Sequence, residues 1–134
     1  MDSIVITGAG IVSAIGIGKA ETLVSLREQR SGIAPLRYLK TAHTEFPVGE
    51  VKLSDDEMKQ RLGITAEPTT RTALMGMLAM DEALQEAGLT VSSSPSPKVS
   101  LVSGTTVGGM DKSEQYYLDY LENDAHNDYI RTHD

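Results

Sequence analysis

Apolar residues cluster at the start of the chain and then recur with helical spacing. Residues 3–15 form the uncharged run SIVITGAGIVSAI, which is typical of a strand buried on both faces that leads into a tight loop. Residues 19–30 place Leu23 and Leu26 about one helical turn apart, which predicts a helix. A strand followed by a helix indicates an α/β layer.

The second segment of the chain has a weak pattern followed by a well-marked short helix. Prolines and a glycine interrupt its first apolar pairs, so we expect only a short strand at residues 48–51. Ser54 and Glu57 match a capping box, in which each side chain accepts a hydrogen bond from the other residue's backbone N–H. The helix that begins there is predicted to run to Leu62 and to end at Gly63.

The most extended helical pattern covers residues 70–87. Its apolar residues form one broad face, and its polar residues lie opposite: Asp81, Glu82, Gln85 and Glu86. Gly76 allows another backbone to approach closely, and Gly88 can supply the left-handed residue that ends the helix. We expect this helix to pack against a sheet.

The last third of the chain predicts a loop, a strand and one more helix. The Ser/Pro run at residues 92–97 is too short for a domain linker and is predicted to be a surface loop. Residues 98–103, KVSLVS, predict a strand that leads into the glycine-rich residues 104–110, and tyrosines and leucines indicate a helix within 111–134. Without an internal repeat, residues 1–134 are expected to belong to one domain without an internal boundary.

Charge and composition exclude several classes of partner. The chain has 12 Lys and Arg against 19 Asp and Glu, a net charge of −7, which argues against binding to nucleic acid or anionic lipid. It has no cysteine, so these residues hold no disulfide, thiolate metal site or thiol nucleophile. The apolar run at residues 4–17 is broken by glycines and too short to cross a bilayer, so we expect a cytoplasmic protein.

Two glycine-rich segments resemble phosphate-binding motifs. GAGIVS at residues 8–13 is close to the dinucleotide fingerprint GxGxxG, but Ser13 stands where the third glycine belongs, and no acid follows a second strand. A stand-alone nucleotide-binding domain is therefore the minor hypothesis. Residues 104–109 do not form a P-loop because Met110 replaces its lysine, and both a sharp turn and an anion cradle stay open.

The titratable residues indicate no metal site and no acid–base pair. His126 and His133 are seven residues apart, a spacing that could place both on one helical face, but no further donor is fixed beside them. His43 stands alone. The acidic residues are scattered along the predicted helices without the pairing that general acid–base catalysis requires. We expect these side chains to be solvated.

Four segments in the same order resemble the β-ketoacyl synthases. They are IVITGAGIVSAIG at the N-terminus, RSGI at residues 30–33, DEALQEAGL at the end of the long helix, and SGTTVGGM after the following strand. The resemblance implies a thiolase-like fold, in which this α/β chain is an incomplete N-terminal portion of the first βαβαβ half of a layered α/β/α domain. It implies an acyltransferase that elongates an acyl chain by decarboxylative Claisen condensation with malonyl-acyl carrier protein, in fatty acid or polyketide-like biosynthesis.

The catalytic groups that the resemblance implies are not within this chain. In the family a cysteine at a helix N-terminus takes the acyl group, and two basic residues assist decarboxylation. None of these can be placed here, so we expect a portion of a longer polypeptide that is inactive alone, without cofactor or metal. Val107, with Thr106 beside it, matches a position that lines the acyl pocket, and Arg71 matches a basic position near the docking site of the carrier protein.

The resemblance also implies protein partners. These are acyl carrier protein and a second subunit, in a homodimer or in a heterodimer with another synthase-like chain. Glu67 and Pro68 lie just before Arg71, where docking members of the family usually have several basic residues, and only Lys59 and Arg61 lie upstream. This departure would also suit a catalytically silent subunit of the chain-length-factor kind, which a cysteine after residue 134 would exclude.

Overall fold

The computed structural model of the protein describes residues 3–65, 69–90, 100–106 and 108–123. The elements are β1 (Val12–Ser13), β2 (Gly16–Ile17), α1 (Lys19–Arg27), α2 (Asp55–Leu62), α3 (Arg71–Glu86) and α4 (Met110–Asn123). The strands form an antiparallel hairpin in which Val12 pairs with Ile17 and Ser13 pairs with Gly16. The described part of the chain thus combines four helices with one small hairpin.

Helix α1 packs small polar residues against the hairpin. Thr22 and Ser25 are buried, and the Ser25 hydroxyl donates to the Ile15 carbonyl at 2.6 Å. A Cβ placed on Gly16 would lie 2.5 Å from the Thr22 nitrogen, so the hairpin backbone touches this face directly. The larger apolar side chains of α1 are exposed: Leu23, Val24 and Leu26. The predicted helix is confirmed, but it ends three residues earlier than the predicted range.

The C-terminus of α1 places a residue other than glycine in the left-handed region. Gln29 has φ 55°, and the N–H groups of Gln29 and Arg30 donate to the carbonyls of Leu26 and Ser25. These two bonds define a Schellman motif, whose left-handed position is usually glycine. A side chain at this position costs roughly 1–2 kcal/mol relative to the right-handed conformation.

Gln29→Gly is therefore expected to raise the free energy of unfolding by about 0.5–1 kcal/mol, because glycine removes the strain but adds freedom to the unfolded chain. Urea denaturation measures this gain. Gly63→Ala is the matched reverse change, at φ 68° and, among the described residues other than its chain neighbours, with no atom within 4 Å of the added Cβ; it should lower stability. A Gln29→Gly protein less stable than the wild type would contradict the assignment.

Helices α2 and α3 begin and end close to the predicted residues. The Ser54 hydroxyl accepts from the Glu57 N–H at 3.2 Å, and the Glu57 carboxylate accepts from the Ser54 N–H at 2.7 Å. This backbone hydrogen bond from Ser54 is the main cause that lowers the pKa of Glu57. The Thr70 hydroxyl caps α3, and Gly63 and Gly88 have φ 68° and 66° after the two helices. The capping box and both glycine stops are confirmed.

The hydrophobic core lies between α2 and α3. Its buried apolar side chains are Leu53, Met58 and Leu74. Partly buried apolar residues surround them: Ile17, Val51, Leu62, Ile64, Met75 and Leu78. Because Met58 is on α2 and Leu74 is on α3, this core fixes the two helices to each other and holds the N-terminus of α3 near that of α2.

Most of the predicted strand residues do not form strands in the described structure. Within residues 3–15 only Val12–Ser13 belongs to a strand, and residues 48–51 and 100–103 form none. Ile4 and Val102 are 101% and 94% exposed. A strand requires a neighbour for its N–H and carbonyl groups along its length. In the described ranges, the Ala34 N–H donates to the Val48 carbonyl at 3.3 Å, and this single contact does not make a strand of residues 48–51. Apart from Val12–Ser13, the strand predictions are wrong for the described residues, and residues 98 and 99 lie outside them.

Candidate functional site

The glycine loop, which we define as residues 8–18, lies directly on helix α3. A Cβ placed on Gly8 would lie 2.1 Å from the Ala83 carbonyl oxygen, and one on Gly10 would lie 1.8 Å from that of Ala79. Only a residue without a side chain allows a loop backbone to approach a helix this closely. The first two glycines of the fingerprint-like motif therefore serve packing between loop and helix.

Glu82 on α3 binds both the glycine loop and the start of α1. One carboxylate oxygen accepts from the Ile11 N–H at 3.0 Å, and the other accepts from the Lys19 N–H at 2.7 Å. Gly18, the N-cap residue of α1, makes no side-chain cap. Glu82 therefore satisfies a backbone donor at the first turn of α1 and places a negative charge at the positive end of the helix dipole.

Glu86 lies one helical turn after Glu82 and makes a second attachment. Its carboxylate accepts from the Ala9 N–H at 2.7 Å and forms an ion pair with the Lys19 ammonium group. The hydrogen bond from Lys19, followed by the one from Ala9, lowers the pKa of Glu86. Glu82 and Glu86 together are called the carboxylate clamp.

The carboxylate clamp occupies the place that a dinucleotide would need. In dinucleotide-binding folds the glycine loop and the following helix N-terminus face the pyrophosphate. Here the Glu82 carboxylate already accepts from the loop N–H of Ile11 and from the Lys19 N–H at the start of α1. The negative charge of Glu82 would repel a pyrophosphate. The cavity beside it, lined in part by Asp81 and Glu82, measures about 210 Å³, whereas small-molecule sites measure roughly 300–1,000 Å³. The hypothesis of a nucleotide-binding domain is not favoured.

The loop that contains Thr106 meets the N-terminal end of α3. Gly109 has φ 81°, and its added Cβ would lie 3.6 Å from the methyl carbon of Thr70, the N-cap residue of α3. Thr106 is exposed, and Val107 lies outside the described residues. The contact between Gly109 and Thr70 brings the predicted pocket loop to the end of α3 at which Arg71 begins the helix.

Arg71 is the centre of a polar network that joins α3 to α2 and to the segment before α2. Its guanidinium donates to the Asp55 carboxylate at 2.7 Å and to the Val51 carbonyl at 2.8 Å, and it lies 5.2 Å from the centre of the Tyr38 ring. The side chain is 22% exposed. The structure thus gives Arg71 partners within the chain, and its contact with a carrier protein stays a prediction.

Glu50 holds a turn beside this network. Its carboxylate accepts from the consecutive N–H groups of Arg37, Tyr38 and Leu39 at distances of 2.7 to 3.2 Å. Burial raises the pKa of Glu50, but these three hydrogen bonds and the charge of Arg71 outweigh it, so the pKa lies below its ordinary value. Consecutive N–H groups around an anion form a nest, and here a side chain of the same chain fills it.

Three carboxylates have roles that were not predicted from the sequence: Glu50, Glu82 and Glu86. The acidic residues were expected to lie on solvated helix faces. One signal was present for two of them. Glu82 and Glu86 are four residues apart and share a face of α3, and Gly18, which precedes α1, has no side-chain oxygen to accept from the first N–H groups of that helix. Nothing in the sequence marks Glu50, whose donors lie 11 to 13 residues away.

The described histidine is not part of a metal site. His43 Nδ1 lies 3.1 Å from a carboxylate oxygen of Glu45 at the surface, and His126 and His133 lie outside the described residues. Among the residues that the structure describes, no group of three or more His, Cys, Asp or Glu side chains could hold a metal ion. None of the helices in this part of the chain has the length and apolar character needed to span a bilayer.

Known proteins match nearly the whole chain. A family model described as beta-ketoacyl synthase, N-terminal domain, matches residues 1–132. The 3-oxoacyl-[acyl-carrier-protein] synthase 1 of Escherichia coli (strain K12) is 36% identical over 123 residues, which are 90% of this chain and 30% of that protein. Nodulation protein E of Rhizobium meliloti (strain 1021) is 29% identical over 119 residues, 88% of this chain and 29% of that protein. No solved structure matches the chain.

The match is continuous rather than confined to one motif. The corresponding enzyme of Haemophilus influenzae is 33% identical over 105 residues, 78% of this chain and 25% of that protein. The chain spans 25% to 30% of the length of these three relatives. Because the family model covers residues 1–132, all four segments that resemble the family lie within it, and the chain belongs to the beta-ketoacyl synthase family, whose N-terminal domain it matches.

Proposed function

We propose that the protein that carries this chain is a 3-oxoacyl-[acyl carrier protein] synthase, an acyltransferase of fatty acid or polyketide-like biosynthesis in the cytoplasm. The observation that supports this most strongly is the family match over residues 1–132. In the proposed reaction a new carbon–carbon bond joins the acyl carbonyl to the malonyl α-carbon. The malonyl carboxylate leaves as carbon dioxide, and the thiol that held the acyl group is released.

The reacting groups are proposed to lie outside these residues. The chain has no cysteine, and acyl transfer through a covalent intermediate needs a nucleophile. The relatives are about three times as long as the matched region, since that region covers 30% of the Escherichia coli protein. We therefore propose that the chain supplies walls and supports for the catalytic site and that residues 1–134 alone are inactive.

The exposed apolar segments support a completed thiolase-like sheet. Residues 3–7 and 100–103 lack strand neighbours in the described structure, and Ile6 and Leu101 are 91% and 71% exposed. Contiguous exposed apolar surface marks a region that another surface covers. We propose that both segments become strands of a layered α/β/α domain when the rest of the protein is present.

The proposed partners are acyl carrier protein and a second synthase subunit. Arg71 is proposed to face the carrier protein, since the two hydrogen bonds to Asp55 and Val51 use two of the five N–H donors of a guanidinium. A second subunit is proposed to cover α4, whose exposed apolar and aromatic residues include Tyr117, Leu118, Tyr120 and Leu121. The silent-subunit alternative is not favoured, because the Escherichia coli and Haemophilus influenzae relatives are named as synthases.

A condensation assay tests the proposed function. The purified protein that carries this sequence is incubated with an acyl-acyl carrier protein and malonyl-acyl carrier protein, and the expected result is 3-oxoacyl product and carbon dioxide in equal amounts. Residues 1–134 expressed alone are the matched control and should give neither. Absence of condensation, together with stable binding to an active synthase, would support the silent subunit instead.

Val107→Phe is expected to shift the products of the assay toward shorter acyl chains. The resemblance places residue 107 in the wall of the acyl pocket, and a phenyl ring there would take up more of the pocket than the valine side chain. Mass spectrometry of the released chains measures the shift. Thr106→Phe is the neighbouring control and should change the distribution less. An unchanged distribution in Val107→Phe at normal total activity would reject the pocket assignment.

A further inference from the structure

The donors that face the carboxylate clamp form an arrangement suited to an anion. The N–H groups of Ala9, Ile11 and Lys19 point to carboxylate oxygens at distances of 2.7 to 3.0 Å. Backbone N–H groups in a glycine-rich loop and at a helix N-terminus attract negative charge. Both features are present here, yet the negative charge comes from α3, more than sixty residues further along the chain.

We propose that Glu82 is an internal anion whose carboxylate completes an anion-binding loop and thereby fixes the glycine loop and the first turn of α1 against α3. Removal of this carboxylate leaves the N–H groups of Ile11 and Lys19 without their acceptor. It also leaves a space of the same size and charge preference as the lost group. A small carboxylate from solution can enter that space and restore the attachment.

The surrounding side chains explain why Glu82 rather than Glu86 has this role. Glu82 is partly buried, and its two backbone donors belong to two different segments. The Glu86 side chain is 44% exposed, and its negative charge is balanced by the Lys19 ammonium group, with which it forms an ion pair. Asp81, the neighbouring carboxylate, accepts from the Gln85 side chain instead. Glu82 is thus the clamp residue whose charge is balanced by the loop and helix backbone.

Because the glycine loop lies so close to α3, its attachment to that helix depends strongly on the Glu82 carboxylate. Gly8 and Gly10 approach the α3 backbone so closely that a Cβ would overlap it, so little room exists for a water layer between them. If the carboxylate is lost without replacement, the described contacts that still hold the loop to α3 are the hydrogen bond of Glu86 and the backbone packing. The loop should then open more often, and α1 should lose its cap.

Chemical rescue tests the proposal. Glu82→Ala removes a CH₂–COO⁻ unit that acetate matches, and its thermal midpoint in sodium chloride is expected to lie below that of the wild type. Sodium acetate at the same ionic strength should raise the midpoint, because a ligand that binds only the folded state stabilises it. The wild type and Asp81→Ala are the controls and should not respond to acetate. An equal response of all three proteins, or none, would overturn the proposal.

Hydrogen exchange keeps the test decisive if Glu82→Ala does not fold. In Glu82→Gln, which keeps the length of the side chain but loses the charge, the amides of Ile11 and Lys19 are expected to exchange about tenfold faster than in the wild type. The Leu74 amide, which lies in α3 and donates to Thr70, should not change. Unchanged exchange at Ile11 and Lys19 would overturn the proposal. None of these measurements involves condensation, so their failure would leave the proposed function unaffected.

Discussion

Replacement of Gly10 by alanine is expected to destabilise the protein by about 3 kcal/mol or more, the largest effect of any substitution considered. The added Cβ would lie 1.8 Å from the carbonyl oxygen of Ala79 and 2.7 Å from its carbonyl carbon. Both atoms belong to the backbone of α3, which cannot move aside without breaking helical hydrogen bonds. The glycine loop must therefore withdraw, and the bond between Ile11 and Glu82 is lost with it.

Urea denaturation monitored by circular dichroism measures this loss of stability. Gly76→Ala is the matched control, because Gly76 lies on the exposed side of α3, and among the described residues no atom outside its own helical turn lies within 4 Å of the added Cβ. That substitution should stabilise α3 by up to about 1 kcal/mol, since alanine is the better helix former. Equal midpoints for Gly10→Ala and the wild type would show that the loop does not lie on α3 as described.

The helices could be predicted from the sequence because their signals are local. Ser54 and Glu57 are three residues apart, and the groups that they cap belong to the same turn of α2. Gly63 and Gly88 end α2 and α3 through their own left-handed conformations. No distant residue is needed for any of these interactions, so a pattern of a few residues determines the result.

The strands could not be predicted in the same way, because a strand depends on its neighbour. The run that includes Ile4 and Ile6 has the composition of a buried strand, yet both side chains are exposed in the described structure. Composition indicates that a segment favours burial but does not supply the second strand that buries it and accepts its N–H groups. Residues 100–103 differ from the prediction for the same reason.

The candidate site shows the same division between local and distant information. The motif at residues 8–13 fits both a nucleotide-binding loop and a packing turn, and its spacing does not distinguish them. The distinction comes from Glu82 and Glu86, which are more than sixty residues away and bind the loop backbone. Likewise the basic position at Arg71 was visible in the sequence, whereas its bonds to Asp55 and Val51 required the structure.

Arg71→Ala is expected to lower the free energy of unfolding by about 2–3 kcal/mol, the second large effect. A hydrogen bond to a charged group contributes roughly 1.5–3 kcal/mol, and partial exposure reduces this value. The substitution removes two such bonds and leaves the Asp55 carboxylate without its cation and the Val51 carbonyl without its donor. Glu50, whose pKa Arg71 helps to lower, also loses a neighbouring positive charge.

Two further variants separate this internal role of Arg71 from carrier docking. Arg61→Ala removes an exposed cation from α2 and should change stability by less than about 0.5 kcal/mol. Arg71→Lys keeps the charge but not the planar fork that reaches both Asp55 and Val51, so its stability should lie between those of the wild type and Arg71→Ala. If Arg71 also docks the carrier, KM for the acyl carrier protein substrate should rise in Arg71→Ala under conditions where that variant is fully folded. If its stability equals that of Arg61→Ala, the network does not hold α2 and α3 together.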